Sequence, residues 1–241
     1  MLPHPSLPSL PEDRVLVVIP ALNEEASVGQ VVKEVEAVVP GAHVLVVDDG
    51  SVDRTREMAL AAGAGVLSLP FNLGVGGALR AGFRYAVRFG YPVVVQVDGD
   101  GQHDPADIPR LLAELGEADV VIGARFAGRG DYSVKGPRRW AMRLLARSLS
   151  KRTRVPLTDT TSGFRAFDAR AVEIFARDYP AEYLGDTVEA LVIAARAGCR
   201  VSQVPVQMRL RTGGTPSQAP WKASVYLART CLALVMSRVR R

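Results

Sequence analysis

Five short runs rich in valine and isoleucine alternate along the chain with stretches whose apolar residues fall at helical spacing. The runs cover residues 14–20 (RVLVVIP), 43–49 (HVLVVDD), 65–70 (GVLSLP), 92–98 (PVVVQVD) and 118–125 (ADVVIGAR). Between them lie EEASVGQVVKEVEAVV, DRTREMALAAG, GGALRAGFRYAVRFG and PADIPRLLAEL. Short, continuously apolar strands need cover on both faces, and strands joined through helices run parallel. The pattern therefore predicts an α/β fold, a central and mostly parallel sheet with helices on both faces. With 241 residues, 48% of them hydrophobic, the chain is long enough to bury such a core as one domain.

Sheets of this kind bind ligands outside the carboxyl ends of their strands. Polar residues collect there: Asn23 and Glu24 after the first run, Asp48 and Asp49 after the second, Asp98, Asp100 and Gln102 after the fourth, and Arg125 at the end of the fifth. Asp53 and Asp107 have a local use and are read as helix caps. Acids at three strand exits nevertheless converge on one crevice. Asp98-Gly99-Asp100 places two carboxylates on one turn, and hard divalent cations take carboxylate, carboxamide and phosphate oxygens. A lone DxD is a weak signal, but one that terminates a buried strand is stronger. His103, beside Asp104-Pro105, is read as part of the turn into the next helix rather than as a ligand.

NLGVGGALRAG (72–82) invites comparison with a dinucleotide fingerprint. The third glycine of GxGxxG would fall at Leu79, and the loop follows the third strand rather than opening the fold. A tight turn bringing main chain near a ligand is the remaining reading, and no Walker A loop is present. Dehydrogenase and P-loop chemistry are excluded.

The net charge of +5 is unevenly distributed: nine Lys or Arg and no acid follow Glu189, and ten cations face Asp131 alone between Arg125 and Arg154. Blocks this free of acids suit phosphate ligands or an anionic surface. Nucleic acid is set aside, because only 6% of residues are aromatic and no recognition-helix, RNP or zinc-finger pattern occurs. Cys199 and Cys231 lack metal-ligand spacing and are expected to be buried free thiols in a reducing compartment. The proline-rich residues 1–13 read as a flexible leader without a signal-peptide core. No run approaches the length of a spanning helix, so a cytosolic protein is expected.

VVIPALNEE, VVDDGSVDRT, NLGVGGALRAG, VDGDGQHDP, GARF and DTTSGFRAF occur here in an order that resembles the family 2 inverting glycosyltransferases of the GT-A fold. Within them the chain is similar to the branch making polyprenyl-phosphate sugars, such as the dolichol-phosphate mannose synthases. The resemblance spans roughly residues 14–217. It implies a nucleotide-sugar donor, Mg²⁺ or Mn²⁺ as cofactor, and a polyprenyl monophosphate acceptor that itself attacks the sugar with inversion. It also implies site residues. Pro20, Leu22 and Glu24 would line the nucleoside pocket, with Val47 and Asp49 holding base and ribose. Asp98 and Gly99 would lie against the nucleotide, while Asp100 with Gln102 would hold the metal. Arg125 and Arg211 would reach the phosphates.

Three departures qualify it. Leu22 stands where that branch commonly has tyrosine. Its lysine in the closing GxSK element falls at Ser217, with Lys222 nearby. Asp186, in LGDTVEALVIAARAG, stands near where sugar- or protein-directed members place a catalytic base, and is otherwise the N-cap of the helix that follows.

Two segments bear on the membrane. PRRWAMRLLARSLSK (137–151) sets Arg139, Arg143, Arg147 and Lys151 in one stripe beside Trp140 and leucines, with Arg139 and Arg143 as candidate contacts for the acceptor phosphate. Residues 221–241 mix Trp221, Tyr226 and leucines with five cations and no acid. Both read as interfacial helices on an anionic membrane surface, with a final helix packed on the sheet as the alternative. The expected organisation is a leader (1–13), a GT-A domain (14–219) and a basic amphipathic helix (220–241). The protein would sit peripherally on the inner face of the plasma membrane, with a separate anchor protein as a further expected partner. The rivals are a family 2 enzyme extending a glycan with Asp186 as base, and a nucleotide-sugar-binding fold without catalysis.

Overall fold

The computed structural model describes residues 14–125, 157–180 and 186–209, without the side chain of Asp186. The leader, the 137–151 stripe and the basic tail lie outside these residues. The strands are β1 (Val15–Ala21), β2 (His43–Asp48), β3 (Gly65–Ser68), β4 (Val93–Gln96), β5 (Val120–Ala124), β6 (Arg165–Phe167) and β7 (Val201–Pro205). The helices are α1 (Val28–Val38), α2 (Thr55–Ala61), α3 (Gly74–Phe89), α4 (Ile108–Glu114), α5 (Ala169–Asp178) and α6 (Asp186–Arg196).

All seven strands form one sheet in the order β3-β2-β1-β4-β6-β5-β7. Pairings β1–β2, β1–β4, β2–β3 and β5–β7 are parallel, whereas β6 lies antiparallel to both β4 and β5. The expected mostly parallel sheet is thus interrupted by one reversed strand. Strand order runs outward from β1 through β2 to β3, then restarts at β4 on the other side of β1. The crevice between β1 and β4 is therefore the point where the topology switches, which is where open α/β sheets take their ligands.

The two-residue strand period divides the core into two layers. Along β1, Val15, Val17 and Ile19 face a cluster with Val28, Val31, Val32 and Val35 of α1 and Ile108 and Leu111 of α4. Leu16 and Val18 face Leu79 and Phe83 of α3, Phe175 of α5 and Leu191 of α6. Each such side chain contributes about 1.5–3 kcal/mol through burial. Helix α3 lies close on the sheet because residue 82 is glycine: a Cβ there would sit 2.6 Å from Val18 Cγ1. Phe83 in turn meets the Phe167 ring edge-on at 5.0 Å, which fixes β6 against α3.

The caps differ from the sequence reading in one place. Asp53 serves as expected, its Oδ1 accepting the Thr55 N–H at 2.9 Å. Asp107 does not cap α4; it takes Arg110 Nη1 at 2.9 Å and the Gln207 N–H at 3.2 Å. The capping acid is Asp104, which accepts from Ala106 N at 3.0 Å and opens a short 3₁₀ turn, Pro105–Asp107, that leads into α4. Cys199 is buried and unbridged, as expected.

Candidate active site

The loops leaving β1 and β2 are stitched together. Asn23, in the left-handed region at φ 56°, donates its N–H to Ser51 Oγ at 2.9 Å and accepts the Val52 N–H at 2.9 Å. Glu24 N–H donates to Thr55 Oγ1 at 2.8 Å, and Glu25 accepts from Arg54 N at 3.0 Å. Asp49 extends the stitching to the third exit, its Oδ1 accepting the Leu73 N–H at 2.7 Å. Burial raises the Asp49 carboxyl above its usual range; the Leu73 and Gly74 amides oppose this and the Asp48 charge adds to it. Pro20 and Leu22 are half-buried at this rim, Glu24 and Asp49 are buried, and Val47 is wholly enclosed in the core beneath. Of the glycines in 72–82, Gly74 starts α3 at φ 80° and Gly82 seats it on Val18 of β1.

The fourth exit carries the acids. Asp98 keeps 38% of its side chain exposed, whereas Asp100 is 8% exposed and accepts the Gln102 N–H at 3.0 Å. Gly99 lies against the end of β1, its Cβ position 3.4 Å from the Pro20 carbonyl oxygen. Two carboxylates and a carboxamide on one turn suit an ion of the Mg²⁺ type, which takes one or two protein carboxylates and completes its shell with water and substrate phosphate. No group of three His, Cys, Asp or Glu forms a protein-only cage among the described residues. The donor set thus fits an ion shared with a diphosphate.

The fifth exit supplies a pairing that sequence reasoning left out. Asp159, with no exposed surface, receives Arg125 as a fork: Nε at 2.6 Å from Oδ2 and Nη2 at 3.0 Å from Oδ1. Arg125 Nη2 also donates to Thr161 Oγ1 at 2.6 Å. Burial by itself would raise the Asp159 carboxyl, but the Arg125 hydrogen bonds and charge outweigh it and hold the group below its ordinary range. Gln203 of β7 braces this segment, donating to the Asp159 carbonyl at 2.8 Å. Arg165, also without exposed surface, donates to the carbonyls of Ser162 at 2.9 Å, Thr160 at 3.1 Å and Thr187 at 2.9 Å. It ties this segment to the first turn of α6, where Asp186 stands. The only sequence signal for Asp159 was its place in DTTSGFRAF.

The chain beyond β7 returns to the acidic turn. Met208 pairs with His103, Arg209 N–H donates to the Gln102 carbonyl at 2.9 Å, and the Arg209 guanidinium reaches Asp104 at 2.7 Å and Glu34 at 2.5 Å. Arg211, Arg139 and Arg143 lie outside the described residues, as does the side chain of Asp186.

The sequence profile described as glycosyl transferase family 2 matches residues 16–175. The undecaprenyl-phosphate mannosyltransferase of Micrococcus luteus is 38% identical over 203 residues, covering 80% of this chain and 82% of that protein. The polyprenol monophosphomannose synthase of Mycolicibacterium smegmatis is 36% identical over 176 residues, 68% of this chain and 64% of that protein. Among solved structures, glucosyl-3-phosphoglycerate synthase from Mycobacterium tuberculosis, crystallised with Mg²⁺ and UDP, is similar at a TM-score of 0.64 and 25% identity, covering 93% of this chain and 78% of that one. The reading of a binding fold without catalysis is set aside, and the chain belongs to glycosyl transferase family 2.

Proposed function

We propose that the protein transfers a hexose or hexosamine from a UDP- or GDP-sugar to a polyprenyl monophosphate, with inversion, giving a polyprenyl-phosphate sugar for cell-envelope glycan or glycoconjugate assembly. The observation that carries this reading is the 38% identity, across 80% of the chain, to an undecaprenyl-phosphate mannosyltransferase. An acceptor phosphate oxygen attacks C1 from the face opposite the diphosphate. The bond from C1 to the diphosphate oxygen breaks, and the nucleoside diphosphate leaves with the bonding pair. The acceptor is already anionic at neutral pH, so no base has to remove a proton.

Asp98 and Gly99 lie against the nucleotide in this reading, above the rim of Pro20, Leu22, Glu24 and Asp49. Asp100 and Gln102 would hold Mg²⁺ or Mn²⁺, whose charge would offset that developing on the departing diphosphate. Arg125, fixed in place by Asp159, and Arg211, two residues beyond the anchored Arg209, add positive charge at the same place. The test is incubation with Mg²⁺, undecaprenyl phosphate in vesicles and a panel of UDP- and GDP-sugars, mannose first, with lipid products identified by mass spectrometry. A product heavier by one sugar residue is expected. Transfer to glycan hydroxyls but never to the lipid phosphate would contradict the reading.

The position of Asp186, as first residue of α6, keeps the glycan-extending reading in view. With a phosphate acceptor, Asp186→Asn keeps transfer within a few-fold of wild type and costs at most ~1 kcal/mol of helix capping. With a hydroxyl acceptor, loss of a positioned base costs ~10²–10⁴-fold. Rates and melting temperatures of the purified variant separate the two.

A lipid acceptor also requires access to a membrane. No helix among the described residues is long and apolar enough to cross one. Peripheral attachment to the cytoplasmic leaflet through the basic segments at 137–151 and 221–241 would supply that access, with Arg139 and Arg143 near the acceptor phosphate and a separate anchor protein as a further partner. Flotation with anionic vesicles at low salt, weakening as salt rises, is the expected result. Equal flotation with neutral vesicles would contradict the electrostatic part.

A further inference from the structure

We infer that the apolar rim formed by Val52, Phe71, Leu73 and Val75 is a membrane-docking surface, entering the hydrocarbon boundary of an anionic bilayer and turning the crevice toward it. The inference rests on the reading that the acceptor is a lipid phosphate. These four exposed side chains stand together on the loops that leave β2 and β3, whereas exposed Leu60, Val87 and Phe89 lie on α2 and the far end of α3. Val52 is 93% exposed and Phe71 63%. The two loops touch, since a Cβ at residue 50 would sit 3.0 Å from the Phe71 carbonyl carbon and from Asn72 N. Their main chain is tied down: Val52 N–H donates to Asn23 Oδ1 at 2.9 Å, Leu73 N–H to Asp49 Oδ1 at 2.7 Å and Gly74 N–H to Asn72 Oδ1 at 2.8 Å. Docking therefore costs little ordering of the loops.

Position favours a bilayer as the occupant. All strands but β6 run the same way, so the rim, the acidic turn and Arg125 share one end of the sheet. The rim stands at the β3 edge. At the other edge the chain runs on from Arg125 after β5 and from Arg209 after β7, and there the basic segments 137–151 and 221–241 are joined to the domain. Seven strands at ~4.8 Å spacing set the two edges roughly 30 Å apart, with the β1–β4 crevice between them. A surface that meets both edges at this end faces the crevice.

Charge agrees with that occupant. No Asp or Glu occurs between Glu57 and Asp98, a stretch that carries Arg80, Arg84 and Arg88. In the β2 loop, Asp53 is engaged by the Thr55 and Glu25 amides, while Arg54 and Arg56 are exposed. An anionic lipid surface thus meets no opposing acid on the β3–α3 side of the rim, and apolar side chains flanked by cations suit its interface.

The test is flotation of the full-length protein with vesicles of phosphatidylcholine and phosphatidylglycerol. Val52→Ser combined with Phe71→Ser should weaken vesicle binding ~10-fold or more, the scale of keeping one or two apolar side chains in water. The factor should be the same at low and high salt, because the change carries no charge. Phe89→Ser, at the far end of α3, should leave binding unchanged. Turnover of undecaprenyl phosphate in vesicles should fall in step, while a water-soluble short-chain polyprenyl phosphate is used as well as by the wild type. Calorimetric titration with UDP and with GDP, each with Mg²⁺, should give wild-type affinity, and sedimentation equilibrium an unchanged mass.

Unchanged vesicle binding in the double variant would overturn the inference and leave the lipid-acceptor reading intact. Weakened nucleotide binding, or an equal loss with the soluble acceptor, would assign the rim to the crevice itself. A dimer that the double variant dissociates would assign it to a second copy of the chain. Either result would overturn the docking role. Wild-type protein that binds no vesicles would contradict the membrane reading, and the docking surface with it.

Discussion

Replacing Asp100 by alanine should abolish sugar transfer, lowering kcat/KM by at least ~10³-fold, and chelation of divalent cations should do the same to the unmodified protein. The expectation follows from where the carboxylate stands. It is 8% exposed, at the exit of a buried strand beside the topological switch point, with Oδ1 already shaping the turn through Gln102 N–H. Alanine removes both the turn contact and the negative group proposed to hold the cation. The fold should survive, because the acidic turn is also fixed through Asp104, Arg209 and the His103–Met208 pairing. Initial rates with Mg²⁺, with Mn²⁺ and with EDTA, beside a melting curve, check both halves. Full turnover in chelator would show that no metal is needed.

The second large effect concerns stability. Asp159→Asn leaves the Arg125 guanidinium facing a neutral amide in a site where the carboxylate has no exposed surface. Breaking one side of a buried pair costs about 3 kcal/mol or more, which for a domain of this size lowers the melting temperature by roughly 6–12 °C. The pH dependence carries a sign. The Asp159 carboxyl is held below its ordinary range in the folded protein. Its contribution is therefore full above the unfolded pKa of about 4 and is lost as pH falls through the folded value. The stability gap between wild type and Asp159→Asn should accordingly narrow below about pH 4. Replacing both partners, Arg125→Met with Asp159→Leu, should restore much of the stability while leaving transfer impaired. Restored transfer in the double variant would show that Arg125 matters to the fold alone.

What could be read from the sequence follows the strength of local signals. Strands β2, β4 and β5 lie within the segments their apolar runs mark out, and β1 runs one residue past its segment, to Ala21. The acids at their ends needed only the rule that parallel sheets bind ligands at carboxyl ends. Strand β6 escaped because it is three residues long, RAF, and carries an arginine into the core. That arginine is tolerated only because the Ser162, Thr160 and Thr187 carbonyls receive it, a compensation invisible to hydropathy. Strand β7, VSQVP, has polar residues at its centre because Gln203 braces the Asp159 segment and Ser202 donates to Glu114 at 2.6 Å. Asp159 and Arg125 are 34 residues apart, so no local pattern joins them. Asp104 outcompeted Asp107 as a cap because proline at 105 opens the 3₁₀ turn one step earlier, freeing Asp107 to bind Arg110 and Gln207.

The identity of the nucleophile decides which reaction the site performs. The most direct measurement offers purified enzyme, Mg²⁺ and its accepted nucleotide sugar two matched acceptors in vesicles, undecaprenyl phosphate and the dephosphorylated alcohol, and determines the anomeric configuration of any product by NMR. The expected product carries one sugar joined to the lipid phosphate through C1, in the configuration opposite to the donor, and the alcohol gives none. Transfer to the alcohol at a comparable rate, or retention of the donor's configuration, would contradict it.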